Sequence, residues 1–261
     1  MLVTIFTPTY NRADTLPRLY ESLKNQKCKD FQWAIVDDGS TDNTPELLKK
    51  FEEEGVLNII YISTENGGKM RAINRGLKLA QGKYFFIVDS DDYITEGAVE
   101  EIDKVDRDLP ENFGGMVFRK MKIQDREITG GAMPAESMDS TPLKIFYRER
   151  VLGDKAEVIK TEVMREFPFP EFAGEKFVPE GYIWNRIGER YPLRYIDRGI
   201  YLFEYLEGGY TKDFKNVMKK NPRGFKLYYG YMLRQDIPLV NRIKFFIRYL
   251  EAIYYTLGKK E

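Results

Sequence analysis

No histidine occurs among the 261 residues, which excludes Ser-His-Asp and Cys-His catalysis and every His-ligated zinc site. Cys28 is the only cysteine, so the chain carries neither an internal disulfide framework nor a thiolate metal site, and it fits a reducing compartment. No apolar run approaches the roughly 18 uninterrupted residues of a membrane-spanning helix. The N-terminus enters a strand-like apolar run without a basic leader or a cleavage site. Charge of one sign is not in excess either: 41 basic residues face 41 acidic ones, so nucleic acid is not an expected partner. The expectation is a cytoplasmic protein of one large or two small domains. Its general base should be Asp or Glu, with Lys or Tyr as the next choices.

What is present is a regular alternation over the first hundred residues. Val3–Thr7, Gln32–Asp37, Asn58–Ile62 and Tyr84–Val88 read as strands. Between them lie three helical patterns. The first is capped by Asp14 and carries Leu16, Leu19, Tyr20 and Leu23 on one face; the second starts at Thr44-Pro45 with Leu47, Leu48 and Phe51 inward; the third shows Met70, Ile73, Leu77 and Ala80. This alternation predicts a parallel sheet flanked by helices, with ligands outside the carboxyl ends of its strands. After about residue 105, Gly115–Lys122, Ala156–Lys160 and Arg194–Tyr205 look like strands, and the stretch near 129–140 like a loop. Two prolines make Phe167–Pro170 irregular. A helix is expected from Pro179 with Ile183, Trp184 and Ile187 inward, and another over Asn241–Leu257.

Tyr84–Val88 ends in Asp89-Ser90-Asp91-Asp92. Three carboxylates within four positions repel one another at close range, so a positive partner is expected among them. Oxygen-only ligands suit Mg²⁺ or Mn²⁺, which commonly hold a substrate's phosphates. The chain has no G-x-G-x-x-G after a strand, and Gly67-Gly68-Lys69-Met70 lacks the first glycine and the Ser/Thr of a P-loop.

Four motifs together, Phe6-Thr7-Pro8-Thr9-Tyr10-Asn11-Arg12, Ile35-Val36-Asp37-Asp38-Gly39-Ser40-Thr41-Asp42, Asn66-Gly67-Gly68-Lys69 and Asp89-Ser90-Asp91-Asp92, resemble the family-2 glycosyltransferases. The resemblance is strong over 1–105 and looser over 150–211. It implies the α/β GT-A fold, a Rossmann-like, mixed but mainly parallel sheet with a C-terminal helical extension. It also implies inverting transfer from a nucleotide-diphospho-sugar, UDP-linked by expectation, to a glycan or lipid-linked sugar acceptor in polysaccharide synthesis. The division expected is 1–105 for the nucleotide-sugar, 106–211 for the acceptor and 212–261 for the helical extension.

By the same resemblance Thr7, Pro8, Thr9, Tyr10 and Arg12 line the nucleotide, and Asp38 contacts the base, although Asp38-Gly39-Ser40 taken alone reads as a turn. Gly68, Lys69 and Arg71 open a helix whose amide dipole and cations suit a diphosphate. Asp91 takes the metal position, Asp89 the ribose or metal position beside Ser90, and Asp92 is an additional carboxylate that a donor sugar or a base could engage. Glu180-Gly181-Tyr182-Ile183-Trp184-Asn185-Arg186 matches the family's base-bearing helix start, with Pro179 in place of its first acid. Glu180 is thus the expected base, Glu175 the reserve, and Asp154 and Trp184 acceptor-side contacts. Many relatives place a His in a late loop; here Tyr205–Thr211 has none. Nucleotidyl transfer on a related sheet, or a non-catalytic binding module, are the alternatives.

The last helix carries Ile243, Phe246, Ile247, Leu250, Ile253, Tyr254 and Leu257 on one face, with Arg242, Lys244, Arg248, Lys259 and Lys260 nearby. Packing against the body or in a dimer is the leading expectation for this stripe. Peripheral contact with the inner face of a membrane is the second.

Overall fold

The computed structural model describes residues 1–204 and 213–258. The late loop Tyr205–Thr211, the boundary at 211–212 and Lys259–Lys260 therefore fall wholly or partly outside the described residues. The first four expected strands form as β1 (Val3–Thr9), β2 (Phe31–Asp37), β3 (Ile59–Ser63) and β4 (Tyr84–Ile87). They alternate with α1 (Leu16–Lys24), α2 (Thr44–Glu53) and α3 (Lys69–Leu79). All pairings among these strands are parallel, in the order β3-β2-β1-β4. The apolar positions expected on α1 and α3 are buried, and so are Leu48 and Phe51 of α2. Thr15 rather than Asp14 stands at the N-cap of α1, without a side-chain capping bond; Pro17 fixes the first turn there instead.

The chain continues through β5 (Tyr93–Ile94), α4 (Ala98–Asp106), β6 (Gly115–Lys122), β7 (Ser137–Ser140) and α5 (Pro142–Tyr147). Then come β8 (Lys155–Lys160), α6 (Thr161–Glu166), α7 (Gly181–Arg190) and β9 (Leu193–Phe203). β8 joins β4 antiparallel, and β6 and β9 follow, so the sheet is mixed beyond β4. The stretch near 129–140, expected as a loop, contains β7, which pairs antiparallel with β9. Its sequence, Ser-Met-Asp-Ser, has no apolar alternation because it lies outside the main strand order, with little to bury.

Helices cover both faces of the sheet. One core packs α1, α2 and α4 around Trp33, Phe86 and Tyr201; the other packs α3, α6 and α7 around Phe6, Phe85 and Ile159. Tyr20 stacks on Phe51 with centroids 3.9 Å apart and lies 6.0 Å from Trp33, which closes the first core. A third, small cluster joins α8 (Phe214–Lys220), α9 (Pro222–Met232) and α10 (Leu239–Gly258) through Phe225, Tyr229 and Ala252.

The stripe of α10 does not pack on the body. Its inward side is the other one, where Phe245, Tyr249 and Ala252 meet α9. Ile243, Phe246, Ile247, Leu250, Tyr254 and Leu257 are exposed, from 49% for Leu250 to 79% for Leu257. Periodicity identified an apolar face correctly, but the aromatic residues Phe245, Tyr249 and Tyr255 with Ala252 seat the helix, and that leaves the broader stripe outside.

Candidate active site

The ends of β1, β2 and β4 bring three of the four motifs together. Asn11, at φ 52°, donates its backbone N–H to Ser40 Oγ at 2.8 Å, and its side-chain oxygen accepts from the Thr41 N–H at 2.8 Å. The loops after β1 and β2 are thereby clasped. Thr15 Oγ1 donates to the Ser90 carbonyl at 2.8 Å, and Arg18 donates to the Asp91 carbonyl, which ties the acidic turn to α1.

Asp38 is buried and fastens the glycine loop. Its Oδ1 accepts from the Gly67 N–H at 2.8 Å and its Oδ2 from the Gly68 N–H at 2.7 Å. Gly68 sits at φ 93°, and a Cβ there would lie 2.4 Å from the Lys176 carbonyl oxygen. Only glycine fits such a turn against passing backbone. α3 begins directly after it, so Lys69 is delivered to the acidic turn. Its Nζ lies 2.7 Å from Asp89 Oδ1, 2.9 Å from Asp89 Oδ2 and 2.8 Å from Glu180 Oε1.

One ammonium thus bridges the end of β4 and the start of α7. Burial pulls the Lys69 ammonium down, but Asp89 and Glu180 outweigh it and hold its pKa well above the ordinary value. Burial pushes the Asp89 carboxyl up, while Lys69, Lys120 and Arg12 together carry it below the usual carboxylate range. Asp92 is different. Tyr201 Oη donates to its Oδ2 at 2.7 Å, yet burial, with Asp89 and Asp91 nearby, pushes it up to about 7 against Lys120. Tyr201 Oη also accepts from the Asp89 N–H at 3.0 Å, so a single phenol braces both sides of the acidic turn.

The remaining expected residues divide by location. Asp91 is partly exposed and meets Arg12 at 3.8 Å. Tyr10 is exposed. Pro8 and Thr9 are buried, and Thr9 Oγ1 has no hydrogen-bond partner among the described residues. Thr7 faces the core, where its Oγ1 accepts from Trp33 Nε1 at 3.0 Å. Arg71 spends its guanidinium on the carbonyls of Gly67, Glu175 and Phe172, at 2.6–2.8 Å, and borders a small separate recess. Glu175 lies in that recess too, and its carboxylate accepts from the Arg223 and Gly224 amides at 3.0 and 3.1 Å. It caps the start of α9, as acidic residues near helix N-termini do.

Beside the Lys69 bridge opens a cleft of about 850 Å³, bordered by Asp89, Lys120, Asp154, Glu157, Glu180 and Trp184 among others. It reaches as far as Asn241 and Phe245 on α10. Its volume is that of a small-molecule site. Lys120, Glu157 and Tyr201 were not singled out from sequence. Burial pushes the Glu157 carboxyl up to about 8, opposed by Lys120 and reinforced by Glu180. Lys120 Nζ lies 3.8 Å from the centre of the Tyr201 ring. The available signal was charge inside strands, Arg119-Lys120 in β6 and Glu157 in β8, which a buried strand does not tolerate without a use.

The model of glycosyl transferase family 2 matches residues 4–152, a span that holds all four motifs. The chain belongs to glycosyl transferase family 2. This family-2 chain is 32% identical over 178 residues to the poly(ribitol-phosphate) beta-N-acetylglucosaminyltransferase TarS of Staphylococcus aureus, covering 66% of this chain and 30% of that protein. It is 26% identical over 188 residues to the GalNAc(5)-diNAcBac-PP-undecaprenol beta-1,3-glucosyltransferase of Campylobacter jejuni, covering 70% and 58%. The chain therefore spans less than two-thirds of either relative's length. In fold it is similar to TarS 1-349 in complex with UDP-GlcNAc, with a TM-score of 0.67 and 21% identity over 97% of this chain and 73% of that one. It is also similar to a mannosyltransferase from Pyrobaculum calidifontis in complex with GDP-Man and Mn²⁺, with a TM-score of 0.60 and 20% identity over 97% and 69%. The mixed sheet flanked by helices is the GT-A architecture.

Among the described residues no three His, Cys, Asp or Glu side chains stand together as a ready metal cage. The carboxylates available at the acidic turn are Asp91, which is partly exposed, and Asp89, which already faces a lysine. That set fits Mg²⁺ or Mn²⁺ held by one or two carboxylates together with substrate phosphates, rather than a cation bound by protein alone.

Proposed function

We propose that this chain transfers a sugar from a nucleotide-diphospho-sugar, UDP-linked, to an acceptor hydroxyl with inversion, in bacterial-type polysaccharide or glycan synthesis. The observation that carries the proposal is the Lys69 bridge. It sets the acidic turn that would receive a diphosphate beside Glu180, a carboxylate that both opens a helix and borders the cleft. In this reading residues 1–105 hold the donor, 106–211 the acceptor, and 212–261 form a helical extension whose α9 and α10 border the cleft. The nucleotide lies across the ends of β1, β2 and β4. Asp38 meets the base with lone pairs that the glycine amides leave over, Thr9 Oγ1 gains a partner, and Tyr10 and Arg12 flank it. Asp89 and Ser90 adjoin the ribose. Asp91 and Asp89 would hold the divalent cation, which when bound supplies charge neutralisation to the leaving diphosphate.

The acceptor oxygen attacks the anomeric carbon from the cleft side. The bond from that carbon to the diphosphate oxygen breaks, and the nucleoside diphosphate leaves with the electron pair. Glu180 takes the acceptor's proton. A diphosphate arriving at Lys69 competes with Glu180 for the ammonium, so donor binding frees the base at the moment it is needed. Asp154, Asp92 and Trp184 orient the sugars, and Lys120 adds positive charge beside the turn. The acceptor is a glycan or a lipid-linked sugar.

Glu180→Gln tests the assignment. A positioned base contributes about 10²–10⁴ in rate, so transfer should fall by that factor while donor affinity stays within about threefold. Near-normal transfer by the variant would refute it.

A further inference from the structure

We infer that the exposed face of α10 lies in the surface of an anionic lipid bilayer, with the cleft on the opposite, inward side of the same helix. The helix presents Leu239, Ile243, Phe246, Ile247, Leu250 and Leu257 along one side, each from 49% to 79% exposed. Over about 18 residues at ~1.5 Å each the stripe is roughly 27 Å long. A continuous apolar side of this length on a surface helix needs a partner. No helix among the described residues is long and apolar enough to cross a membrane, so the fitting arrangement is a helix lying in the interface plane.

Charge selects between a bilayer and a second copy of the chain. At about 100° per residue, Arg242 falls on one border of the stripe and Lys244 on the other. The only acidic residue of α10, Glu251, is paired to Arg248 at 2.8 Å, and Arg248 itself lies 5.0 Å from the centre of the Phe214 ring on the inward side. A second α10 laid on this stripe would bring two pairs of bordering cations to the seam and no free carboxylate from the helix to meet them. Lipid phosphates satisfy those cations while acyl chains cover the stripe between them.

The cleft supplies the functional link, and this part rests on the glycosyl-transfer reading. Asn241 and Phe245, in the first turns of α10, border the same cleft that holds Glu180 and Asp89. With α10 in the interface, the cleft stands about one helix diameter, ~10–12 Å, from the bilayer surface, so an acceptor sugar reaches the base on a stem of about that length while its lipid anchor stays in the bilayer.

Vesicle flotation of the whole chain tests this without donor or turnover, so its failure and the failure of the transfer reading are separate events. The wild type should partition at least about tenfold better onto phosphatidylcholine vesicles containing roughly a third phosphatidylglycerol than onto phosphatidylcholine alone, and should lose most of that preference at about 0.5 M salt. Ile247→Glu with Leu250→Glu should cut partition by about tenfold or more at an unchanged melting temperature, since both positions are exposed. Arg242→Glu with Lys244→Glu should abolish the anionic preference. Absence of wild-type binding, or equal binding by the Glu variants, would overturn the inference. So would a concentration-dependent dimer that the Ile247→Glu, Leu250→Glu variant dissolves in the absence of any vesicle binding.

Discussion

Replacing Lys69 by Met keeps the length of the side chain and removes the ammonium that joins Asp89 to Glu180. Removing one partner of a buried ion pair costs about 3–5 kcal/mol, because the other charge is left uncompensated. Here the loss is smaller for two reasons. Glu180 and Asp89 are 33% and 28% exposed at their side chains, and Lys120 and Arg12 still support Asp89. A destabilisation of about 2–3 kcal/mol follows, or roughly 4–12 °C in melting temperature for a chain of this size. Urea melts at neutral pH with chelator present would read it. A cycle with Glu180→Gln separates the bridge from general effects: the neutral amide has less need of the ammonium, so the double variant should recover at least about 1 kcal/mol relative to the sum of the singles. Additivity within about 0.5 kcal/mol, or a melting temperature unmoved by Lys69→Met, would show that the bridge does not hold the two halves of the site.

Gly68→Ala places a Cβ 2.4 Å from the Lys176 carbonyl at φ 93°; it should cost about 2–3 kcal/mol by denaturant melt and weaken donor binding, and a loss under about 0.5 kcal/mol would mean the loop yields freely. Glu157 titrates at about 8 against an ordinary 4.5, so its proton stabilises the folded state fully below about 4.5 and that stability is lost as pH rises through about 8. The Glu157→Gln variant should therefore match the wild type near pH 5 and exceed it by about 1–2 kcal/mol near pH 9, a fraction of the full ~5 kcal/mol because water reaches the cleft; parallel pH profiles would contradict the assigned burial. Glu175→Gln loses the charge that caps α9 and should lower stability by about 1 kcal/mol while leaving the rate of transfer intact; a hundredfold fall in rate at wild-type stability would return Glu175 to the catalytic candidates.

The first hundred residues were legible because their strands are short, mostly apolar runs and each helix between them buries one clean face. Val3–Thr9 and Phe31–Asp37 are buried at every position, the pattern of a central parallel sheet. The polar motifs at their ends then needed no further information to be placed. The second half was less legible because its elements carry mixed patterns. β7 is polar, and β9 bends past β6 through a register shift around Arg119. Lys120 and Glu157 acquire meaning only when β6 and β8 pair, since they lie far from the acidic turn in sequence. Arg71 and Glu175 look like site residues by type and position, yet their partners are backbone carbonyls, the Glu171 carboxylate and helix amides that no local pattern reveals. The stripe of α10 shows the limit of periodicity, which finds an apolar face but not whether protein covers it.

In the proposed function the clasped loops and the acidic turn bind a nucleotide-diphospho-sugar together with a divalent cation. Thermal unfolding of the wild type and Asp91→Asn with a panel of UDP-, GDP- and dTDP-sugars, with and without Mn²⁺, tests it most directly. Binding at a hundred times Kd adds about 2.7 kcal/mol, or roughly 5–11 °C. Such a rise is expected with a UDP-sugar only when Mn²⁺ is present, and it should be lost in Asp91→Asn. A flat response across the panel, or an Asp91→Asn response equal to the wild type, would contradict it.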